Sequence, residues 1–200
     1  MDAQHRLEPC RGAAQDGCMS TNPSPRLEVG QTIPGFRVET LSHGTLQVPD
    51  QGVYTHLQFR RFAGCPVCNL HLRKFARNKS RLDAAGIRSV AFFHSPAAAM
   101  RPYQGDLPLP SVADPKRDWY RRFGVERSRL AIMHPQVMKS ALAGLVSAPS
   151  NPFVGGGDQT GLPADFLISP DGKLVALHYG SHADDQWSLE ELIAHRQSAL

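Results

Sequence analysis

Val53-Tyr54-Thr55-His56-Leu57-Gln58-Phe59-Arg60-Arg61-Phe62-Ala63-Gly64-Cys65-Pro66-Val67-Cys68 is the stretch that decides how this chain is read. Residues 53–59 are rich in β-branched and aromatic side chains, which suit a pleated, half-buried surface and predict a strand. Beyond the cysteines, Val67, Leu70, Phe75 and Leu82 recur at near-helical spacing, with Arg73, Lys74, Arg77 and Lys79 between them. This predicts a helix to about Ala85. A C-x-x-C at such a junction makes physical sense as a redox motif. Cys65 falls at the helix N-terminus, where free amides and the macrodipole favour a thiolate over a thiol. Pro66 suits the first helical position, where its fixed φ and missing N–H cost nothing. Cys68 lies one turn on, close enough to close a disulfide after modest adjustment.

Other uses of the pair fit less well. A structural zinc site asks for a second pair of ligands, and the remaining cysteines, Cys10 and Cys18, stand seven residues apart in unpatterned sequence. His71 extends the run to C-x-x-C-x-x-H, but on a helix it reads as a surface or packing histidine. Covalent haem attachment needs His directly after the second Cys, and Asn69 stands there. No metal or cofactor is expected.

Two hundred residues can bury a full core without disulfide staples. The ordinary hydrophobic and charged fractions argue against disorder of the whole chain. No apolar run approaches the length of a transmembrane helix. Residues 1–26 are polar, carry no signal-peptide core and read as a disordered extension, with Met19 as an alternative start. A single domain is expected over 27–200, with the cytoplasm as its compartment. The net charge of +4 gives little ground for nucleic-acid binding. Basic residues along 60–81 interleave with apolar helix positions and read as a solvated face.

From residue 27 the pattern alternates. Leu27-Glu28-Val29-Gly30 and Ile33-Pro34-Gly35-Phe36 form an irregular lead-in. Phe36 to Leu41 alternates apolar and polar, Ser42-His43-Gly44 turns, and Thr45-Leu46-Gln47-Val48 completes a short hairpin. The 53–59 strand and the C-x-x-C helix follow, with Gly86 placed as a left-handed cap. Ile87 to His94 is a second apolar strand, and Ser95-Pro96 opens a short helix. Leu107 to Val112 reads as an edge strand because of Pro108 and Pro110, and Asp114-Pro115 starts a helix through Trp119, Tyr120 and Phe123. Pro135 to Val146 reads as a helix with Val137, Met138, Leu142, Leu145 and Val146 as its apolar side. Ser147 to Thr160, with the triplet Gly155-Gly156-Gly157, reads as a loop or lid. No Lys-Ser or Lys-Thr follows it to make a phosphate cradle. Gly161 to Gly180 is a hairpin around Ser169-Pro170-Asp171-Gly172, and Ser188-Leu189-Glu190-Glu191 is a capping box for a last helix. Alternating strands and helices imply a parallel or mixed sheet with helices on its faces.

This order resembles the thioredoxin-like superfamily. Within it, the chain is similar to the redoxin branch of alkyl hydroperoxide reductase C/thiol-specific antioxidant proteins, in particular the peroxiredoxin-like group with a C-P-x-C motif. The resemblance spans about residues 27–197. It rests on Val29-Gly30 with Pro34-Gly35-Phe36, on Gly64-Cys65-Pro66-Val67-Cys68, on Arg122-Phe123-Gly124-Val125, and on Gly161-Leu162-Pro163-Ala164-Asp165-Phe166-Leu167-Ile168. It implies an α/β, thioredoxin-like three-layer fold: a central mixed sheet, an N-terminal β-hairpin, and an insertion over 130–160 ahead of the strand that follows a cis-proline at Pro163. In the superfamily the matching proline packs beside the cysteine pair, helps a substrate strand or mixed-disulfide partner lie against the sulfur, and tends to exclude metal. Two departures weaken the peroxidase side of the resemblance. Peroxiredoxins carry Pro seven residues and Thr or Ser three residues before the peroxidatic Cys, whereas Gln58 and Phe62 stand here. Pro163 also occupies the place of their distant Arg.

Dithiol–disulfide exchange is therefore the better supported chemistry. Cys65 attacks as thiolate, activated by the helix N-terminus and by Arg60 or Arg61, of which strand alternation lets only one face the site easily. A Cys65 pKa around 6–7 is typical of such motifs. Cys68 resolves the mixed disulfide, or condenses with a Cys65 sulfenic acid if the substrate is a peroxide. The site residues expected are Cys65, Cys68, Pro66, Pro163 and Arg61. The partners expected are a peroxide or disulfide substrate and an external thioredoxin- or glutathione-type thiol reductant, with no nucleic acid and no membrane; homodimer formation is left open. The competing reading is a thioredoxin-fold binding module with a vestigial cysteine pair, in which 130–160 recruits a protein. An inert pair should be buried with a high pKa, and an enzyme's Cys65 exposed and acidic. His178, His182, Asp184 and Asp185 read as loop and capping structure, and Trp119 and Trp187 as core or interface packing.

Overall fold

The structure is a computed structural model and describes residues 25–125, 135–147, 151 and 160–199. A hairpin of β1 (Phe36–Glu39) and β2 (Thr45–Val48) leads to β3 (Tyr54–Phe59). The C-x-x-C segment then opens α1 (Pro66–Arg77), followed by α2 (Lys79–Ala84), β4 (Ile87–Phe93), α3 (Ala97–Gln104), β5 (Ser111–Ala113) and α4 (Asp118–Arg122). The remainder comprises α5 (Pro135–Ser147), β6 (Ala164–Ile168), β7 (Leu174–Tyr179) and α6 (Leu189–Ser198). The expected N-terminal extension, Cys10, Cys18 and the 155–157 glycines lie outside the described residues.

The sheet order is β5-β4-β3-β6-β7. β3 runs parallel to β4 and β4 to β5, whereas β6 pairs antiparallel with both β3 and β7. This is the α/β three-layer, thioredoxin-like architecture with a central mixed sheet. On one face, Leu72, Phe75, Leu82, Met100 and Leu192 from α1, α2, α3 and α6 form one core. On the other, the hairpin and α4 bring Phe36, Val48, Tyr120 and Phe123 against Leu57, Phe59, Phe92 and Phe166. Central β3 is buried on both faces, as a parallel-paired strand must be. No helix among the described residues is long and apolar enough to cross a membrane.

Local chemistry sets the element ends. The long helix expected to Ala85 breaks at Asn78 into α1 and α2, and Gly86 takes φ 65° in the left-handed region. β5 lies at the sheet edge, where the preceding prolines are tolerated. α4 starts at Asp118 rather than at Asp114, because the Asp114 carboxylate accepts the N–H groups of Asp118, Trp119 and Tyr120 at 2.9, 2.8 and 3.4 Å. Ser188 and Glu191 form the expected capping box. The bond before Pro163, expected cis, is trans; Val48–Pro49 is the cis peptide among the described residues. Pro163 already runs extended into β6, with its carbonyl accepting from Gly180 N–H at 2.9 Å. Nothing there demands the isomer that is less favourable by roughly 0.5–1 kcal/mol.

α5 forms where expected but does not bury its expected side. Val137 is buried, while Met138, Leu142, Leu145 and Val146 are exposed by 69, 67, 50 and 84%. Close approach overrides side-chain hydrophobicity here. Gly144 lies against α1 so tightly that a Cβ on it would stand 2.4 Å from the Pro66 carbonyl oxygen. Only the small-residue face of the helix fits.

Asp114→Ala should destabilise the fold by about 1–2 kcal/mol by leaving the first N–H groups of α4 without their acceptor. Urea denaturation followed by circular dichroism reads this as a lower midpoint at unchanged slope.

Candidate active site

Two arginines follow the end of β3, and their side chains part. Arg61 turns to the cysteines, with Nη1 3.9 Å from Cys65 Sγ. Arg60 shares the face of His56 and Gln58 and is fully buried.

The loop carrying Cys65 is held on all sides. Cys65 N–H donates to the Phe62 carbonyl at 3.0 Å. The Ala63 carbonyl accepts from Asn69 Nδ2 at 2.9 Å and from Gln104 Nε2 at 3.0 Å, and Ala63 N–H donates to Ser95 Oγ at 3.0 Å. Cys65 is the N-cap of α1, with Pro66 in its first turn, and its Sγ accepts from Cys68 N–H at 3.4 Å. Burial pushes the Cys65 thiol up, but the Cys68 hydrogen bond, the Arg61 charge and the backbone donors outweigh it and bring the pKa down to about 7. Cys68 goes the other way, raised by burial and by its bond and charge interaction with Cys65. One sulfur is thus prepared as thiolate and the other held as thiol.

Neither sulfur is reached from solvent: Cys65 is 0% and Cys68 1% exposed. The site is acidic as an enzyme's should be, but buried rather than exposed. Val137 of α5 shares the core of both cysteines, Gly144 seats α5 on Pro66, and Asn151 N–H donates to the Gly64 carbonyl at 3.1 Å. Pro163 lies next to the Phe59–Ala164 pair, at the end of the sheet from which the Cys65 loop departs.

Behind the cysteine loop, Arg60 grips Asp165 of β6 with both ends, Nη2 to Oδ1 at 2.7 Å and Nη1 to Oδ2 at 3.3 Å. His56 Nε2 reaches the same Oδ1 at 2.9 Å, Gln58 Oε1 accepts from Arg60 Nη2 at 2.8 Å, and Trp187 N–H donates to Oδ2 at 3.2 Å. Burial pushes the Asp165 carboxyl up, yet Arg60 and His56 hold it well below the usual carboxylate range. Burial lowers His56. His71 joins from α1, 3.2 Å from Arg60 Nη2, as a packing group. Gln58 therefore belongs to this network, and Phe62 is a buried apolar residue with no hydroxyl to offer. Sequence reading missed Asp165, although polar residues at every second position of an apolar strand (His56, Gln58, Arg60) signal a buried polar stripe needing a counter-charge. His178 lies in β7, and Asp185 of the loop that follows takes its Nε2 at 2.8 Å and Ser181 N–H at 2.7 Å.

Comparison with known proteins agrees with this architecture. The model of the AhpC/TSA family matches residues 29–177. Peroxidoxin BcpB from Mycobacterium tuberculosis superposes with a TM-score of 0.61 at 14% identity, covering 86% of this chain and 98% of that one. A peroxiredoxin-like protein from Aquifex aeolicus gives 0.60 at 15%, covering 88% and 90%. A protein assigned as thiol:disulfide interchange protein DsbE from Chlorobium tepidum gives 0.55 at 21%, covering 86% and 98%. At these identities the likeness is one of fold. No curated protein matches the sequence.

Asp165→Ala should cost about 3–5 kcal/mol by leaving the Arg60 charge buried alone, read as a collapse of the denaturation midpoint. The folded carboxyl is depressed, so its contribution is complete above the unfolded Asp value of about 3.9 and fades as pH falls below it. Acid titration of stability should steepen there in wild type and flatten in the variant.

Proposed function

The chain belongs to the AhpC/TSA family, a family of redox-active thiol enzymes, and on that premise we propose that it exchanges dithiol for disulfide through Cys65 and Cys68. The observation that carries this reading is the placement of Cys65 as the N-cap of α1, its Sγ accepting from Cys68 N–H at 3.4 Å and lying 3.9 Å from Arg61 Nη1, surroundings that favour a thiolate there. The Cys65 thiolate attacks one sulfur of a partner disulfide; a new S–S bond forms and the partner's other sulfur leaves as thiolate. Cys68 then loses its proton and attacks Cys65 Sγ, which closes the Cys65–Cys68 disulfide and frees the second partner thiol. An external thioredoxin- or glutathione-type thiol returns two electrons and two protons to the pair. With Phe62 and Pro163 in place of the Thr and Arg that align peroxide oxygens, peroxide is the poorer substrate. Its reduction would leave a Cys65 sulfenic acid, which Cys68 condenses with release of water.

Access is the remaining step. Cys65 is covered, with Val137 and Gly144 of α5 seated over the start of α1, so displacement of α5 would open the sulfur to a partner.

Stopped-flow oxidation by hydrogen peroxide, set beside insulin-disulfide reduction, tests the chemistry. Insulin reduction should be active, peroxide oxidation slow, and Cys65→Ser dead in both. Cys68→Ser should accumulate a mixed disulfide visible by mass spectrometry. Rapid Cys65-dependent peroxide consumption would make the protein a peroxidase instead. Inactivity in both assays under every reductant would favour the binding module, whose surface would be the exposed α5 face. Gly144→Val, which forces α5 off Pro66, should raise the rate of Cys65 alkylation by iodoacetamide at least tenfold with the circular dichroism unchanged. An unaltered rate would rule out α5 as the gate.

A further inference from the structure

Ala63 lies two residues before Cys65 and is fully buried, so both of its main-chain groups need partners. Residues at the two ends of α3 supply them. Ser95, just ahead of that helix, accepts the Ala63 N–H at 3.0 Å, and Gln104, its last residue, donates from Nε2 to the Ala63 carbonyl at 3.0 Å. Asn69 gives the same carbonyl a second donor, Nδ2 at 2.9 Å, and its Oδ1 accepts from Gln104 Nε2 at 2.6 Å. These contacts fix both amides, because either one turned over would set its oxygen against the Ala63 carbonyl. The arrangement has a cost. Gln104 is fully buried, and its Oε1 finds no hydrogen-bond partner among the described residues. An aliphatic side chain of like volume would avoid that loss. A glutamine kept there points to a use for its donor.

What the donor holds is a turn with an alternative. Cys65 N–H donates to the Phe62 carbonyl at 3.0 Å, so Phe62–Cys65 is a β-turn whose central peptide joins Ala63 to Gly64. Type I and type II turns differ by a half-rotation of that peptide, and type II needs positive φ at the third residue, where glycine meets no steric penalty. Gly64 stands at that position, yet it is not among the glycines with positive φ. The Ala63 carbonyl is thus held toward α3 and α1 in a loop that is free by sequence to turn it away. Asn69 carries the constraint to Cys65 from the helix side, because its own N–H donates to the Cys65 carbonyl at 3.0 Å.

We propose that Gln104 is a positioning residue for Cys65: it holds the Ala63–Gly64 peptide and the Asn69 amide in the orientation that seats Cys65 as the N-cap of α1, with its sulfur at the Cys68 N–H and beside Arg61. Neither Gln104 nor Asn69 carries a charge, so the effect on the sulfur is one of geometry. The inference rests on Cys65 being the reactive sulfur.

The test reads the Cys65 midpoint from thiolate ultraviolet absorbance across pH, in a Cys10→Ser, Cys18→Ser, Cys68→Ser background where one thiol titrates. Gln104→Met keeps the volume and removes the donor. It should raise the midpoint by about half a pH unit, roughly halving the thiolate fraction at pH 7. It should also split the single Gly64 amide signal in nitrogen-15 NMR into two, as the second turn type becomes populated. Gln104→Asn keeps an amide but loses the reach, and should behave alike. Leu192→Ala empties core volume on α6, outside this set of hydrogen bonds. It should lower the denaturation midpoint and leave the Cys65 midpoint where it was. If Leu192→Ala moves Cys65 as far as Gln104→Met does, general loosening explains the effect and the positioning role is overturned. A midpoint unmoved in both Gln104 variants overturns it as well. So does a moved midpoint with the Gly64 signal still single, since Gln104 would then act through its amide dipole. Wild-type protein inactive in insulin reduction, with the midpoint still moved by Gln104→Met, would instead defeat the functional reading on which the inference stands.

Discussion

A guanidinium inside an apolar core is tolerable only when a carboxylate meets it, and the Arg60–Asp165 contact is the constraint from which the site follows. It joins β3 to β6 at the end of the sheet where the cysteine loop begins, and it fixes the register in which that loop departs. With Arg60 committed to Asp165, Arg61, the next residue beyond the end of β3, turns to Cys65. A one-residue slip of β3 would exchange the two arginines and leave a buried carboxylate unanswered. The electrostatics of the thiolate are thus tied to the pairing of two strands.

Features governed by a few neighbouring residues were legible in the sequence. Cys65 at a helix N-terminus, Pro66 behind it, the Ser188–Glu191 box, the edge position of β5 and a sheet with helices on its faces all followed from local patterning, while the three-layer thioredoxin-like form came from the family resemblance. The statement that only one of the two arginines would face the site also followed from local patterning. Asp165 stands in the sequence as a single acid within an apolar strand, and its partner lies 105 positions away in the chain. The inner face of α5 was misread because the choice was made by a backbone approach at Gly144 rather than by hydrophobicity. The expected cis bond at Pro163 came from resemblance alone, and the ladder into β6 took the ordinary isomer. The role of Asp114, capping a helix four residues downstream, also depends on a turn that no periodicity announces.

The site combines two demands that usually conflict. Burial makes a thiolate expensive, yet the dry surroundings strengthen each donor and charge aimed at it. Cys65 resolves the conflict with three contributions converging on one sulfur, whereas Cys68 receives mainly the penalty. The neighbouring carbonyl of Ala63, bonded to Asn69 and Gln104, keeps the loop from relaxing toward solvent, where both effects would fade.

Under the proposed dithiol exchange, the inequality between the two thiols also sets how the pair's reduction potential would vary with acidity. Below about pH 7, reduction takes up two protons with two electrons, and the midpoint potential falls by about 59 mV per pH unit. Above that point Cys65 returns as thiolate and only Cys68 gains a proton, so the slope halves to about 30 mV. Against a glutathione pool whose own potential keeps the steeper slope, the disulfide becomes relatively more oxidising as the medium turns alkaline. A rise in pH would thus move this protein toward its reduced form with no change in the supply of reductant.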